Sequence, residues 1–236
     1  MNHEHRSSEG ILLVDKPKGK TAFDLVAILR RRLNVKTIGH AGTLDPMATG
    51  VMVMLIGKKY TTQSNQFLTE EKEYIGQVHL GIETDSYDAE GKEVSTSPIV
   101  PPEEQLMQAL TTFQGEIQQI PPMFSAKKIN GQKLCNLARQ GKTVERQPVT
   151  LTVKTELISY AYPFIELRII CSKGTYVRSI AHDLGKLLGC GAHLSALVRT
   201  RSGSNSLSEC IDGAGLYSGD ISLLEIVNNL RTTPPK

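Results

Sequence analysis

The sequence predicts an α+β fold built on a mixed sheet, on three observations. Segments with strand character come in runs between helical segments, without a strict strand–helix–strand rhythm. The 236 residues are 39% hydrophobic and 22% charged, and a chain of that length buries roughly 70% of the surface its unfolded form exposes, enough for a real core. No internal repeat is present.

Gly10–Asp15 (GILLVD) has the short apolar run of a buried strand. Thr21 then opens a helix: its hydroxyl can cap the first backbone amides, and Asp24 completes a capping-box pattern. Ala22, Val26, Leu29 and Leu33 recur as one apolar stripe, and Arg30–Arg32 fall at the C-terminal end, where cations suit the helix dipole. Val51–Ile56 (VMVMLI), the longest unbroken apolar run, predicts a strand buried on both faces, and the alternation of Glu73–Leu80 predicts a half-buried one. An acidic, turn-rich connection follows (GIETDSYDAEGKE), and Pro101-Pro102 introduces a helix over Glu103–Phe113. From about residue 122 to 148, Pro121-Pro122, Asn130-Gly131 and Gly141 punctuate a basic segment with little apolar periodicity outside Leu134–Ala138. That pattern predicts a projecting, partly mobile lobe. Strands return at Val149–Ser159 and Phe164–Ser172. A helix over Tyr176–Leu188 carries Val177, Ile180, Ala181, Leu184 and Leu188 on one face and stops at Gly189. Leu194–Thr200 reads as a further strand and Leu223–Leu230 as a closing helix.

Val51–Ile56 is far short of the roughly 20 apolar residues that span a bilayer. The start, MNHEHRSSEG, is polar without an apolar signal core. These features predict a disordered tail over residues 1–9 and a cytoplasmic protein with no membrane partner. Cys135, Cys171, Cys190 and Cys210 form no C-x-x-C pair, and no H-E-x-x-H occurs. The cysteines are therefore expected to be small buried hydrophobes, and no metal is expected. The net charge of +3 hides a segregation. Seven bases face two acids between Asp15 and Lys36, ten acids face two bases between Glu70 and Glu104, and six bases face one acid between Lys127 and Arg146. Basic stretches around an acidic one suit a polyanion held on one side; a solvated surface gives the same pattern. Gly19-Lys20-Thr21 and Gly141-Lys142-Thr143 look like the end of a P-loop, but Val14 and Asn136 stand where the earlier glycine belongs, and no G-x-G-x-x-G is present. No nucleotide cofactor is expected.

Gly39–Gly50 (GHAGTLDPMATG) packs three glycines and a proline into twelve residues, which rules out helix and regular strand on composition. It lies between apolar Val35–Ile38 and the strand Val51–Ile56, so Asp45 sits on a tight loop with rigid flanks, the way a catalytic carboxylate is presented. An ordinary Asp-Pro turn fits the spacing equally well. In Ser172–Ser179 (SKGTYVRS) a strand passes through Gly174 into a helix with Arg178 in its first turn. A cation there opposes the helix dipole and calls for a carboxylate or phosphate partner, unless it is simply solvated.

GHAGTLDPMATG resembles the signature of TruB-type tRNA pseudouridine synthases, which convert the T-loop uridine of tRNA (position 55) to pseudouridine. GILLVDKPKGKT, KEYIGQVHLGIETDSYDAEG, QIPPMFSAKKINGQKL, CSKGTYVRSIAHDLG and CGAHLSALVRTRSG are similar to that family's other motifs, in the expected order, over about residues 10–203. The resemblance implies the pseudouridine synthase fold, with a mixed, mainly antiparallel central sheet and flanking helices. It implies one catalytic domain over residues 10–236, with the basic lobe at about 122–148 binding RNA. Met52 stands where the family usually has leucine, Cys135 where tyrosine is expected, and the chain ends near where many members begin a further RNA-binding domain, so no full C-terminal domain is expected.

The implied reaction detaches uracil from C1′, rotates it and rejoins it through C5, without a cofactor. Asp45 is implied as the carboxylate near C1′, Arg178 as its cationic partner, and Tyr74 as the ring that stacks on the detached uracil with its hydroxyl near the C5 proton. His40 is implied beside the extruded base, Leu197 as an apolar wall of the pocket, and Tyr176 as a further substrate contact. Lys16, Lys127, Lys128 and Lys133, with Lys18, Lys20, Arg139 and Lys142, are the expected phosphate contacts. The implied partner is the T arm of tRNA and the implied state a monomer. A non-catalytic RNA-binding protein on the same scaffold, or a hydrolase that releases uracil, are the alternatives.

Overall fold

A computed structural model of the chain describes residues 8–129 and 131–232. Of the expected tail, only Ser8 and Glu9 fall among the described residues. The elements run β1 (Gly10–Lys16), α1 (Ala22–Leu33), β2 (Ile38–Ala41), β3 (Thr49–Ile56), α2 (Lys58–Thr61), α3 (Ser64–Thr69), β4 (Lys72–Leu80), β5 (Ile82–Thr84) and β6 (Glu93–Thr96). Then follow α4 (Glu103–Leu110), β7 (Gln114–Gln119), β8 (Lys128–Ile129), β9 (Gln132–Lys133), α5 (Leu134–Arg139), β10 (Val149–Ala161), β11 (Phe164–Cys171) and α6 (Val177–Leu187). The chain closes with β12 (Ala192–Ser202), β13 (Asn205–Ser206), β14 (Ile211–Asp212), α7 (Gly213–Ser218) and α8 (Leu223–Asn228). It forms two compact units, Met1–Glu73 with Val198–Lys236, and Tyr74–Leu197.

In the first unit β3 pairs antiparallel with β1, from Gly10↔Ile56 to Lys16↔Gly50. Its other side takes β2, antiparallel from Ile38↔Ile56 to Ala41↔Val53, and then β12, parallel at Val198↔Thr49 and Arg199↔Gly50. Ile11, Leu13, Val51, Val53 and Leu55 pack with Ala41, Tyr60 and Phe67, while the intervening Leu12, Val14, Met52, Met54 and Ile56 are just as buried. A strand covered on both faces needs the continuous apolar run that VMVMLI supplies, each such side chain contributing about 1.5–3 kcal/mol. Thr21 caps α1 as the sequence predicts: its hydroxyl accepts from Asp24 N–H at 3.1 Å, and Asp24 Oδ2 accepts from Thr21 N–H at 2.8 Å. Asn34, left-handed at φ 55°, ends the helix.

The glycine-rich segment is less irregular than its composition predicts. Gly39, His40 and Ala41 complete β2 opposite Leu55, Met54 and Val53, and Thr49-Gly50 open β3. A short strand against a rigid neighbour takes its geometry from that neighbour, and tertiary context overrides propensity.

In the second unit the strand order is β12-β4-β11-β10-β7, with β10 antiparallel to both β11 and β7. The sheet is mixed and mainly antiparallel with flanking helices, an α+β fold. β7 (QGEIQQ) carries no apolar alternation, because as an edge strand it exposes most of its side chains. α4 ends at Leu110 and tightens into a 3-10 turn over Thr111–Phe113. Within the basic segment, β8 and β9 form a two-stranded ribbon, and α5 buries Leu134 and Leu137. Cys171 and Cys190 are buried as expected, whereas Cys135 and Cys210 are only half-buried. Among the described residues no helix is long and apolar enough to cross a membrane.

Candidate active site

Asp45, in the first unit, opens a tight turn: the Ala48 N–H donates to the Asp45 carbonyl at 3.1 Å, with Pro46 at the second position, where its fixed φ fits. The residue is half-buried, neither sealed in the core nor fully solvated. Neighbouring segments hold this loop at several points. The Gly19 N–H donates to the Pro46 carbonyl at 2.8 Å, and Lys16 Nζ donates to the same carbonyl at 3.2 Å. Arg199, 1% exposed, donates from Nε to the Val51 carbonyl at 2.7 Å and from Nη2 to the Gly42 carbonyl at 3.2 Å. The Gly50 N–H donates to Asp15 Oδ1 at 3.0 Å. Gly50 is left-handed at φ 105°, and a Cβ there would lie 2.2 Å from the Arg199 carbonyl oxygen, so this position admits only glycine.

Lys16 is a correction to the sequence reading. It was expected against phosphate, yet it is fully buried, with its ammonium also donating to the carbonyls of Pro17 at 3.0 Å and Lys20 at 2.6 Å. A buried ammonium must find acceptors, and here the turn that follows β1 closes its carbonyls around it. Lys16 therefore braces the Asp45 loop. Lys18 and Lys20 remain exposed. His40 is half-buried and meets Phe23 edge-to-face, with ring centroids 6.1 Å apart and planes at 82°. Burial, then the charge of Arg199, hold its pKa below the usual histidine value, so the imidazole is neutral at pH 7.

Arg178 lies in the first turn of α6 in the second unit and is 5% exposed. One partner of the kind its place on the helix calls for is Asp88, whose Oδ2 lies 3.3 Å from Arg178 Nη1. Nη1 also donates to the Ser86 carbonyl at 3.0 Å, and Nη2 to the Phe124 carbonyl at 2.8 Å. Asp88 accepts in turn from Ser86 Oγ at 2.6 Å and the Glu90 N–H at 3.1 Å. Sequence reasoning missed Asp88 because it sits in a run that looks like a solvated acidic connection. The signal was the D-S-Y-D spacing, which suits side-chain closure of a turn. Tyr87, left-handed at φ 67°, stacks on His182 with centroids 3.7 Å apart and planes at 10°.

The entry into α6 is clamped. Gln119 Oε1 accepts from the Tyr176 N–H at 2.9 Å, and Gln119 Nε2 donates to the Tyr176 carbonyl at 3.1 Å. Tyr74, half-buried on β4, shares a sheet face with Gly76 two residues on. A Cβ on Gly76 would touch Leu194, Leu197 and Val177 at 3.4–3.6 Å, so the glycine brings Leu197 and Val177 close to that face. Lys127, Lys128 and Lys133 are exposed, and Lys128 stands directly opposite Lys133 across the β8–β9 ribbon. Lys16, Lys18, Lys20, His40 and Asp45 belong to the first unit, and the other expected site residues to the second. Among the described residues no group of three or more His, Cys, Asp or Glu is placed to hold a metal ion.

Comparison with known proteins bears on this arrangement. Residues 30–177 match the TruB family pseudouridylate synthase N-terminal domain, and residues 178–217 the tRNA pseudouridylate synthase B C-terminal domain. The chain is 62% identical over 210 residues to tRNA pseudouridine synthase B of Protochlamydia amoebophila, covering 89% of this chain and 80% of that protein. It is 58% identical to the protein of the same name from Chlamydia felis, covering 90% of each. Among solved structures, a chain of a Cbf5-Nop10-Gar1 complex superposes with a TM-score of 0.71 at 26% identity. That match covers 98% of the present chain and 62% of the other, so the chain spans less than two thirds of that protein's length. A chain of an H/ACA RNP bound to a substrate RNA containing 2′-deoxyuridine gives 0.68 with the same coverage. With a family match running through both the Asp45 loop and Tyr74, and relatives more than half identical along about nine-tenths of its length, the chain belongs to the TruB family of pseudouridylate synthases.

Proposed function

We propose that this chain isomerises uridine to pseudouridine in the T-loop of tRNA, with Asp45, Tyr74 and Arg178 as its catalytic residues. The C1′–N1 bond breaks, a C1′–C5 bond forms, C5 gives up its proton and N1 gains one, so the reaction balances with no co-reactant. Asp45 stabilises or attacks C1′, as carboxylates do in glycoside hydrolysis. Tyr74 stacks on the detached base and takes part in moving the C5 proton. Arg178, with its charge buried, supports the ionised form of the reacting carboxylate. His40, Tyr176 and Leu197 contact the everted nucleoside. Residues 10–236 act as one catalytic domain in a monomeric, cytoplasmic enzyme, without a metal or other cofactor.

Turning the uridine out of the T-loop costs a few kcal/mol, offset by stacking and by phosphate contacts to the T arm. The basic segment at about 122–148 supplies those contacts through Lys127, Lys128 and Lys133. The face-to-face lysines at 128 and 133 repel one another by about 0.2–1 kcal/mol, and a phosphate between them removes that cost.

The observation that carries this reading is the presentation of Asp45: a half-buried carboxylate on a turn braced by Lys16, Gly19 and Arg199. Incubation of wild type and Asp45→Asn with unmodified tRNA, followed by mapping of pseudouridine, tests it. Wild type is expected to modify the T-loop with no change in RNA mass, while the variant binds tRNA and makes no product. Wild-type-like turnover by Asp45→Asn, or release of free uracil, would refute the assignment.

A further inference from the structure

We propose that Phe23 is a stacking platform for one unpaired base of the RNA substrate; the inference rests on the isomerase reading and adds a contact to it. At 77% exposure, Phe23 is the most exposed of the large apolar side chains among the described residues. It occupies the second position of α1, whose apolar stripe (Ala22, Leu25, Val26, Ile28, Leu29 and Leu33) is buried without it. Packing and capping therefore give no reason for an aromatic ring at this place. Among the described residues its one ring contact is edge-to-face with His40, which occupies at most one face of the phenyl group. His40 is held neutral, so the pair presents an uncharged aromatic surface beside the Asp45 loop.

The surroundings select the occupant. Ala22 is 2% exposed, Thr21 half-buried and Asp24 exposed and polar, so the apolar surface is one ring wide and too small for a protein or lipid partner. Exposed Lys18 and Lys20 precede it in the turn that leads into α1, with Lys20 Nζ resting 4.8 Å over the Tyr217 ring. One aromatic ring with nearby ammonium groups suits a nucleotide, the base on the ring and the phosphate on a lysine.

The chain contains no tryptophan, so Phe23→Trp installs a single tryptophan, excited selectively over the tyrosines, at the site. Its fluorescence is expected to be quenched by an unmodified T-arm stem-loop. Phe23→Ala is expected to weaken stem-loop binding about tenfold, Phe23→Tyr to stay near wild type, and the melting temperature of all three to stay unchanged. Affinity of Phe23→Ala within twofold of wild type, or unmoved emission with saturating RNA bound, overturns the platform. Pseudouridine formation by wild type on the same stem-loop is scored separately. Turnover with an inert Phe23 overturns only the platform, whereas quenching and weakened binding without turnover overturn the isomerase reading and keep the platform.

Discussion

Asp88→Asn removes one charge from the interior while keeping the side chain's shape. Asp88 and Arg178 lie 3.3 Å apart with side chains 5% and 7% exposed. At that distance and an effective dielectric near 20, their attraction is about 5 kcal/mol, set against the desolvation of both groups. Removing one member of such a pair leaves the other charge buried and costs about 3–5 kcal/mol. The low end applies, because Arg178 keeps the carbonyls of Ser86 and Phe124. A loss of about 3 kcal/mol lowers the melting temperature of a chain this long by roughly 10 °C. Thermal unfolding of wild type, Asp88→Asn, Arg178→Met and the double variant gives the coupling directly, and about 2 kcal/mol is expected. A fall of under 2 °C in Asp88→Asn, or single effects that simply add, would show that the two charges do not stabilise one another.

His182 gives a pH dependence. Burial first, and Lys186 second, push its pKa from 6.5 down to about 4, against the opposing pull of Glu83. The folded state keeps the ring neutral, so below pH 6.5 the unfolded chain takes up the proton first. Stability contributed here is full above about pH 6.5 and falls by up to about 1.4 kcal/mol per unit as the pH drops toward 4. Between pH 7 and 5, urea unfolding should show wild type losing about 2 kcal/mol more than His182→Gln; equal losses would contradict the buried, neutral ring. Replacing Lys127, Lys128 and Lys133 together by alanine should weaken tRNA binding and flatten its salt dependence, each lost phosphate contact lowering the logarithmic slope by roughly one. An unaltered slope in a salt titration would place the RNA on another surface.

Local rules carried the sequence reading far. The capping box at Thr21, the apolar stripe of α1, the doubly buried VMVMLI strand and the helix after SKGTY all depend on neighbours within a few residues. β2 and β7 were hidden because glycine and glutamine strands take their geometry from partners distant in the chain. The candidate site divides along the same line. Asp45 stood out through the glycines and proline around it, and Arg178 through its unfavourable place on a helix.

The order of residues thus picks out the candidate site residues, and packing settles which charges face solvent. Lys16 and Lys18 are two residues apart and alike in composition, yet one is sealed among carbonyls and the other is exposed. Asp85 and Asp88 lie in one acidic turn, yet only Asp88 is buried against a cation ninety residues further along the chain. Desolvation depends on what the rest of the fold places around a group, and that environment comes from segments no local pattern can reach.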